Sequence, residues 1–523
     1  MATKQQPNDD LVKKLQKLDS SIEEICQISG NVGLSVGVLH QGEAIRTSHY
    51  GYRDFEANLP PDDDTVYYFS SLTKAMTSAA FGILVDESKI TWDTLICDIL
   101  PEFNHQNPIL RKEATITDLL SHRTGLAGKT CLWIQGQQHM LLPKKEIIRT
   151  WKYSNWGYAL AGEIIEVLSG MKFGEFLQSR IFDPLGMTRT TASVPGPDNV
   201  AVPYMVYDNG SPCKVAVSEV AGETVMVAAL GVTTTTKDLL TFYQALLATN
   251  TAELASNDTR KTDFVLKNVG RTFTPHIACG KAPIEERSYG LGWVRTQLPG
   301  SLGIIGLNNM YLGGMPVIGK SSKKVVLSHS GSLSGYLAAV IMVPDTQTAI
   351  IVMGNSLPFA DPPDLICQMI LEAILDEPDP VDFVQLTQAS RDGHIASYYK
   401  IAEELQAGLG VPSKRSPDNY VGRYWNSVGN FVIDVSLHGS NLRVTMQDRD
   451  DVGYYIESYE GETFWWGPPN RQIEECDMAM FPRTYAGWHK FKFLTDDDGN
   501  VNSLMWAHDP GVSGGETFFK RPA

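Results

Sequence analysis

Strand-like runs lie at both ends of the region between residues 33 and 354, and they constrain the fold more than any other feature. Gly33 to His40 and Glu43 to Tyr50 flank Gln41-Gly42 and predict a β-hairpin. Three later apolar runs also predict strands: Lys324–Ser330, Tyr336–Val343 and Gln347–Gly354. Helical periodicity dominates much of the chain between them. We therefore expect an α+β fold, with both ends of this region in one antiparallel sheet flanked by helices.

The chain changes character after residue 377, which predicts a division into domains. Residues 9–377 form the first predicted domain, and within it the stretch 185–320 is interpreted as loops and short elements that cover a site. Residues 378–417 are predicted to be a helical connector and a linker rich in Pro, Ser and Lys. Residues 418–523 alternate apolar and polar side chains between turn signals, which predicts a small all-β barrel or sandwich.

Charge and composition exclude several classes of partner. The net charge of −16, from 44 basic and 60 acidic residues, argues against binding to nucleic acid or to an anionic membrane. No apolar run reaches the roughly 18 residues of a membrane span, and the polar N-terminus lacks a signal-peptide core. The seven cysteines are scattered, which is typical of reduced thiols, so we expect a cytoplasmic protein. No Cys/His spacing indicates a metal site, and we expect no metal or other cofactor.

A serine and a lysine stand at the start of a predicted helix. Five apolar residues recur at helical spacing: Leu72, Ala75, Met76, Ala79 and Ile83. Ser71 and Lys74 are three positions apart, so they share a helix face away from this stripe. The first turn of a helix favours developing negative charge, and a lysine of lowered pKa can activate a nearby serine. Alone, the pattern also fits a capping serine followed by an exposed lysine.

Two further motifs follow this pair in order along the chain. Tyr153-Ser154-Asn155 is the first and His329-Ser330-Gly331, on a late predicted strand, is the second. The ordered set resembles the penicillin-recognising serine hydrolases, in the branch of class C β-lactamases, D-peptidases, serine esterases and related acyltransferases. The resemblance covers roughly residues 10–376. The sequence from Tyr420 to Trp425 is similar to the start of the lipocalin-like β domain appended to some members.

The resemblance implies a role for each residue of the first two motifs. Ser71 would attack an ester or amide carbonyl and carry the acyl group. Lys74 and Tyr153 would share proton transfer, with the lysine ammonium lowering the pKa of the phenol. Asn155 would hydrogen-bond Lys74 or a substrate amide.

The third motif is implied to bind the substrate. The backbone N–H groups of Ser71 and Ser332 would form an oxyanion hole. His329 would face the substrate from its strand, beside Gly331. His122, in the family-like stretch Leu119-Leu-Ser-His-Arg-Thr-Gly-Leu126, is interpreted as structural, and Tyr289-Gly-Leu-Gly-Trp293 is predicted to begin a strand.

The chain departs from the family pattern in two places. The approach to the second motif, Ile147 to Tyr153, lacks the usual Pro-Gly turn and is shortened. The third motif carries His329 in place of lysine, which favours neutral esters or D-peptides over β-lactam antibiotics. The G-x-S-x-G matches at Gly33–Gly37 and Gly511–Gly515 lie in predicted β segments and not at a strand-to-helix turn. No nucleophile elbow therefore appears, which disfavours an α/β-hydrolase.

Three functions follow from these features. The first is a serine hydrolase of esterase or amidase type, acting on a small-molecule ester or amide through an acyl-enzyme. The second is an acyltransferase similar to the lovastatin-type transesterases, which only product analysis with an acceptor alcohol distinguishes. The third is a non-catalytic binding protein, supported by the shortened approach to Tyr153. The sequence does not indicate the oligomeric state.

Overall fold

The computed structural model describes residues 5–103, 108–124, 134, 136–141, 154–256, 263–279, 286–482, 485–509 and 514–521. Contacts divide the chain into two compact units, one from residues 1–124 and 155–394 and the other from residues 125–154 and 395–523. The predicted domain boundaries at residues 377 and 417 stay predictions, because the helix Phe383–Ala407 continues through the point of division.

The first unit is built on an eight-stranded antiparallel sheet. The N-terminal hairpin lies at one edge, and Leu34 pairs with Gly354 across the sheet. This pairing confirms the predicted α+β fold, in which early and late strands share a sheet. The strands, in spatial order, are Glu43–Gly51, Gly33–His40, Thr348–Gly354, Tyr336–Val343, Val325–Leu333, Val294–Gln297, Arg287–Tyr289 and Ile277–Ala278.

Helices flank this sheet because their apolar residues bury against it. Ile22 and Ile25 share one buried cluster with Ile366 and Ile370 and with Val352 of the sheet. The α-helices are Gln5–Gln16, Asp19–Ser29, Thr73–Asp86, Ile96–Ile99, Pro108–Glu113, Ile116–Leu120, Asn155–Ser169, Phe173–Leu177, Asp183–Leu185, Val227–Leu230, Thr236–Ala255, Val269–Phe273, Leu307–Leu312, Pro362–Ile374 and Phe383–Ala407. Two smaller sheets join Ser356–Leu357, Tyr204–Val206 and Pro212–Lys214, and Tyr67–Tyr68 with Thr233–Thr234.

The interpretation of residues 185–320 as loops and short elements was wrong in one large part. Thr236–Ala255 is a helix of 20 residues. Five of its buried apolar residues recur at helical spacing: Leu239, Leu240, Tyr243, Leu246 and Leu247. The buried face also takes in polar residues such as Asp238 and Asn250, which dilute this stripe. The prediction that Tyr289 begins a strand was also wrong, because a strand ends there and the next one begins at Val294.

The second unit contains a closed eight-stranded barrel, which confirms the predicted C-terminal all-β domain. Trp488 and Trp506 are fully buried with ring centroids 5.0 Å apart, so these aromatic residues form part of the barrel core. The strands are Gly422–Asn426, Val432–His438, Asn441–Met446, Arg449–Glu460, Thr463–Trp465, Lys490–Thr495, Val501–Trp506 and Glu516–Arg521.

A short segment from the N-terminal part of the sequence belongs to this second unit. The Gln137 backbone N–H donates to the Met478 carbonyl at 2.8 Å, and its side chain donates to the Asp477 carbonyl. His139 pairs with Asp451 at 2.9 Å. Gln137 and His139 are therefore bound to the second unit. Across the part of the chain that the structure describes, no helix has both the length and the apolar character needed to cross a membrane.

Candidate active site

The chain reaches Ser71 through a tightly held turn. Residues Ser70–Leu72 form one turn of 3-10 helix that leads into the helix Thr73–Asp86. The Phe69 N–H donates to the Val232 carbonyl at 2.9 Å, which ties the turn to the neighbouring strand. Ser70 has φ +53°, a left-handed conformation that costs a non-glycine residue of the order of 1–3 kcal/mol. Such strain persists only where the surrounding structure imposes it, and here it precedes the half-buried Ser71.

Lys74 joins the first two motifs. Its Nζ donates to Ser71 Oγ at 3.0 Å and to Asn155 Oδ1 at 2.8 Å. A third bond goes to the Ala229 carbonyl at 3.1 Å. Lys74 is fully buried, and this burial holds its pKa well below the ordinary 10.5. The buried amine of Lys74 thus lies within hydrogen-bond distance of the Ser71 hydroxyl.

The Ala229 carbonyl is a hydrogen-bond acceptor for Lys74 that the sequence did not predict. It lies in the short helix Val227–Leu230, which the Thr77 hydroxyl also binds through the Ala228 carbonyl at 2.7 Å. A backbone acceptor leaves no side-chain signature. The residue that could have indicated this close packing in the sequence is Gly231. A Cβ there would lie 2.4 Å from the Val220 carbonyl oxygen, so only glycine fits.

The strand of the third motif passes directly beside the serine turn. A Cβ at Gly331 would lie 2.8 Å from the Phe69 carbonyl oxygen, 3.1 Å from Ser70 Cβ and 3.4 Å from the Ser71 nitrogen. Glycine is therefore needed for this approach. Ser332 follows on the same strand, paired with Leu337.

His329 is buried rather than open to solvent, with 2% of its surface exposed. Its Nδ1 lies 2.8 Å from the Ser330 carbonyl and its Nε2 lies 3.1 Å from the Tyr289 hydroxyl. Since a carbonyl can only accept, Nδ1 carries the hydrogen and Nε2 accepts from Tyr289. Burial and the nearby Lys74 charge lower the pKa of His329 to about 3, so the ring is neutral.

His122 lies in the same region, although the sequence suggested only a structural role. Its ring centroid is 5.3 Å from that of Tyr158 and 4.9 Å from that of Tyr289. Burial, with smaller contributions from the charges of Lys74 and His329, lowers the pKa of His122 well below its ordinary value. The Lys74 Nζ lies 5.5 Å from the Tyr158 ring centroid.

The structure thus brings together Ser71, Lys74 and Asn155, and places Gly331 against the serine turn. Tyr153 lies outside the described residues, so its role stays a prediction. In the described ranges, no group of three or more His, Cys, Asp or Glu side chains could hold a metal ion.

Comparison with protein families gives two matches. Residues 12–367 match the family model described as beta-lactamase. Residues 409–521 match a domain of unknown function, DUF3471.

Individual relatives agree with the first match. A penicillin-binding protein of Bacillus subtilis (strain 168) is 25% identical over 370 residues, which cover 66% of this chain and 71% of that protein. An unguisins hydrolase of Aspergillus violaceofuscus is 28% identical over 178 residues, 30% of this chain and 31% of that protein. Among solved structures, the octameric penicillin-binding protein homologue from Pyrococcus abyssi matches with a TM-score of 0.56 and 18% identity. The match covers 97% of this chain and 99% of that one, and it supports the fold.

Proposed function

Because this chain belongs to the beta-lactamase family of serine hydrolases, we propose that it hydrolyses an ester or amide through an acyl-enzyme on Ser71. The observation that carries the proposal is the 3.0 Å contact between Lys74 Nζ and Ser71 Oγ, made by a fully buried lysine. A buried amine of lowered pKa has a neutral fraction that can act as a base near neutral pH.

In the proposed reaction, Ser71 Oγ forms a bond to the substrate carbonyl carbon while its proton moves to neutral Lys74. The resulting oxyanion accepts hydrogen bonds from the Ser71 and Ser332 backbone N–H groups, each worth about 2.7–4 kcal/mol in comparable sites. The carbonyl carbon then releases the alcohol or amine, which takes the proton from Lys74. Water attacks the acyl-serine and gives a proton to the neutral Lys74. The bond between the carbonyl carbon and Ser71 Oγ then breaks, Ser71 Oγ takes that proton from Lys74, and the acid leaves. Tyr153 is expected to share these proton transfers.

The surroundings of His329 support a neutral substrate. Both ring nitrogens contact protein groups, and the pKa of about 3 leaves the ring uncharged. The histidine therefore does not supply the positive charge that a lysine would give to a substrate carboxylate. We expect uncharged esters and amides to acylate Ser71 faster than carboxylate-bearing β-lactams.

Intact-mass spectrometry after treatment with a fluorophosphonate tests the proposal. The expected result is one adduct on the wild-type protein and none on Ser71→Ala. Ser70→Ala is the matched control, since it removes the neighbouring hydroxyl, and it should keep the adduct. A p-nitrophenyl ester and a chromogenic β-lactam, used separately, then report turnover and its preference.

The same experiment separates the other two functions. Adding a short alcohol during ester turnover and identifying the products distinguishes hydrolysis from acyl transfer, because transfer yields a new ester in place of the acid. Absence of an adduct with every probe would overturn the enzyme proposal and favour a binding protein of this fold.

A further inference from the structure

Four aromatic rings form a continuous set beside Lys74. The Tyr158 ring lies next to Lys74 Nζ, His122 lies against Tyr158, Tyr289 against His122, and His329 against Tyr289. The Tyr158 hydroxyl donates to the Leu120 carbonyl at 2.7 Å, which fixes its ring in place. Below, these four rings are called the ring set.

Three hydrogen-bond partners of Lys74 in the described part of the chain are uncharged groups. The Lys74 ammonium donates to a hydroxyl, an amide oxygen and a backbone carbonyl, at Ser71, Asn155 and Ala229. Burial alone opposes its charge. An aromatic face within about 6 Å of an ammonium attracts it, and the attraction grows when water is excluded. The distance of 5.5 Å from Lys74 Nζ to the Tyr158 ring centroid meets this condition.

His122 is held between two tyrosine rings. Its left-handed conformation, with φ +60°, belongs to the C-terminal cap of the helix Ile116–Leu120: the His122 N–H donates to the Leu119 carbonyl at 3.3 Å, and the following N–H donates to the Asp118 carbonyl at 3.2 Å. The ring packs against Tyr158 and Tyr289 at centroid distances of 5.3 Å and 4.9 Å. The helix cap therefore fixes the backbone that places the His122 ring against Tyr158.

We propose that Tyr158 is a positioning residue for the Ser71 reaction, whose ring face holds the Lys74 ammonium as it forms, and that His122 clamps this ring. The inference rests on the proposed function, because the ammonium forms when Lys74 takes the Ser71 proton. Tyr158 does not contact the reacting atoms and acts through Lys74.

Thermal stability provides a test that needs no activity. Phenylalanine and trifluorophenylalanine are each placed at position 158 of the full chain, since fluorine withdraws electron density from the ring face with little change of shape. Both lack the hydroxyl, so they differ in the ring face. Each is also combined with Lys74→Met. At mildly acidic pH, fluorination should lower Tm in the Lys74 background and not in the Lys74→Met background. An equal change of Tm in both would overturn the proposal.

Kinetics give a second readout. The rate of Ser71 acylation by a p-nitrophenyl ester is measured against pH. Fluorination at position 158 weakens the attraction of the ring face for the ammonium and so lowers the pKa of Lys74. The limb of the rate–pH curve that reports Lys74 should then move to lower pH by about one unit, because a desolvated cation–π contact of this kind is worth roughly one pKa unit. The titratable neighbours His122 and His329 stay neutral over this range. An unmoved or raised limb would contradict the proposal.

The clamp is tested by His122→Gly, which relieves the left-handed conformation and removes the ring. It should shift the same limb, whereas Phe242→Leu, which removes a buried ring outside the ring set, should not. If the fluorophosphonate leaves the wild type unlabelled, the proposed function fails, and the Tm comparison still decides whether Tyr158 holds the charge of Lys74.

Discussion

The side-chain oxygen of Asn155 accepts a 2.8 Å hydrogen bond from the Lys74 ammonium, so the second motif acts on the lysine through a neutral group. Asn155→Asp would place a carboxylate at this point. An opposite charge this close raises the pKa of an amine, typically by one to three units. The neutral fraction of Lys74, and with it the acylation rate, should fall roughly 10- to 1000-fold at neutral pH. The rate should recover as the pH rises. Asn155→Ala, which adds no charge, should not show this recovery, and burst kinetics across pH would distinguish the two variants.

The close approach of Gly331 to the serine turn predicts a strong steric effect. Gly331→Ala puts a methyl group 2.8 Å from the Phe69 carbonyl oxygen and 3.1 Å from Ser70 Cβ. Because backbone must move, we expect a loss of about 1–3 kcal/mol in the free energy of unfolding and at least a 100-fold slower acylation. Gly196→Ala is the matched control, since no atom lies within 4 Å of its added Cβ. Denaturant unfolding and ester kinetics measure both, and a wild-type rate in Gly331→Ala would contradict the assignment.

Neutral His329 predicts that substrate preference can be changed by charge. His329→Lys should increase acylation by a carboxylate-bearing β-lactam relative to a neutral ester by roughly 10- to 100-fold, the range of one charge-assisted hydrogen bond. His329→Gln keeps a neutral polar group and should leave the ratio near that of the wild type. Competition between the two substrates, followed by mass spectrometry, gives the ratio directly. Equal ratios in all three proteins would show that the charge at this position does not select the substrate.

A pair of buried carboxyl groups predicts pH-dependent stability. Asp361 and Asp364 are 1% and 4% exposed, and burial together with the Asp364 charge raises the pKa of Asp361 well above its ordinary 3.8. When a carboxyl group binds its proton more tightly in the folded state, the protein loses stability as pH rises from about 4 towards the pKa of that group in the folded state. Asp361→Asn should therefore be more stable than the wild type at neutral pH, by about 1–3 kcal/mol, and similar to it near pH 3.

Thermal unfolding from acidic to alkaline pH checks this prediction. Asp379→Asn is the control, because Asp379 is exposed and pairs with Lys320, which lowers its pKa. That variant should show no gain at neutral pH. A stability difference for Asp361→Asn that does not change with pH would contradict the assignment to the carboxyl pair.

The hydrophobic pattern predicted the strands of both units. The barrel segments alternate apolar and polar residues, whereas the late strands Tyr336–Val343 and Thr348–Gly354 are continuous apolar runs that are buried at every position. The sheet pairing of Leu34 with Gly354 confirms the α+β class. The helix Thr236–Ala255 was missed although its apolar residues recur at helical spacing from Leu239 to Leu247. Its buried face also contains polar residues such as Asp238, and these dilute the apolar stripe.

The site was predictable where spacing along one helix determines distance. Ser71 and Lys74 are neighbours because residues three apart face the same way. The Ala229 carbonyl and the Tyr158 ring reach Lys74 only through tertiary packing, for which the chain has no local code. The loop Gly290–Gly292 was misread as strand for a related reason. A Cβ at Gly292 would lie only 3.1 Å from the Lys74 carbonyl oxygen. The glycine at the break between the two strands thus allows the backbone of Lys74 to approach closely.

The pairing of Leu34 with Gly354 also means that the nascent chain can complete this sheet only late in its synthesis. The hairpin leaves the ribosome roughly 320 residues before the strand Thr348–Gly354, which is about 15–60 s at ordinary rates of translation. During this interval the edge of Gly33–His40 that later receives Thr348–Gly354 has no native neighbour and can pair with other chains. The speed of translation between these two strands therefore sets how long this strand edge stays without its native neighbour.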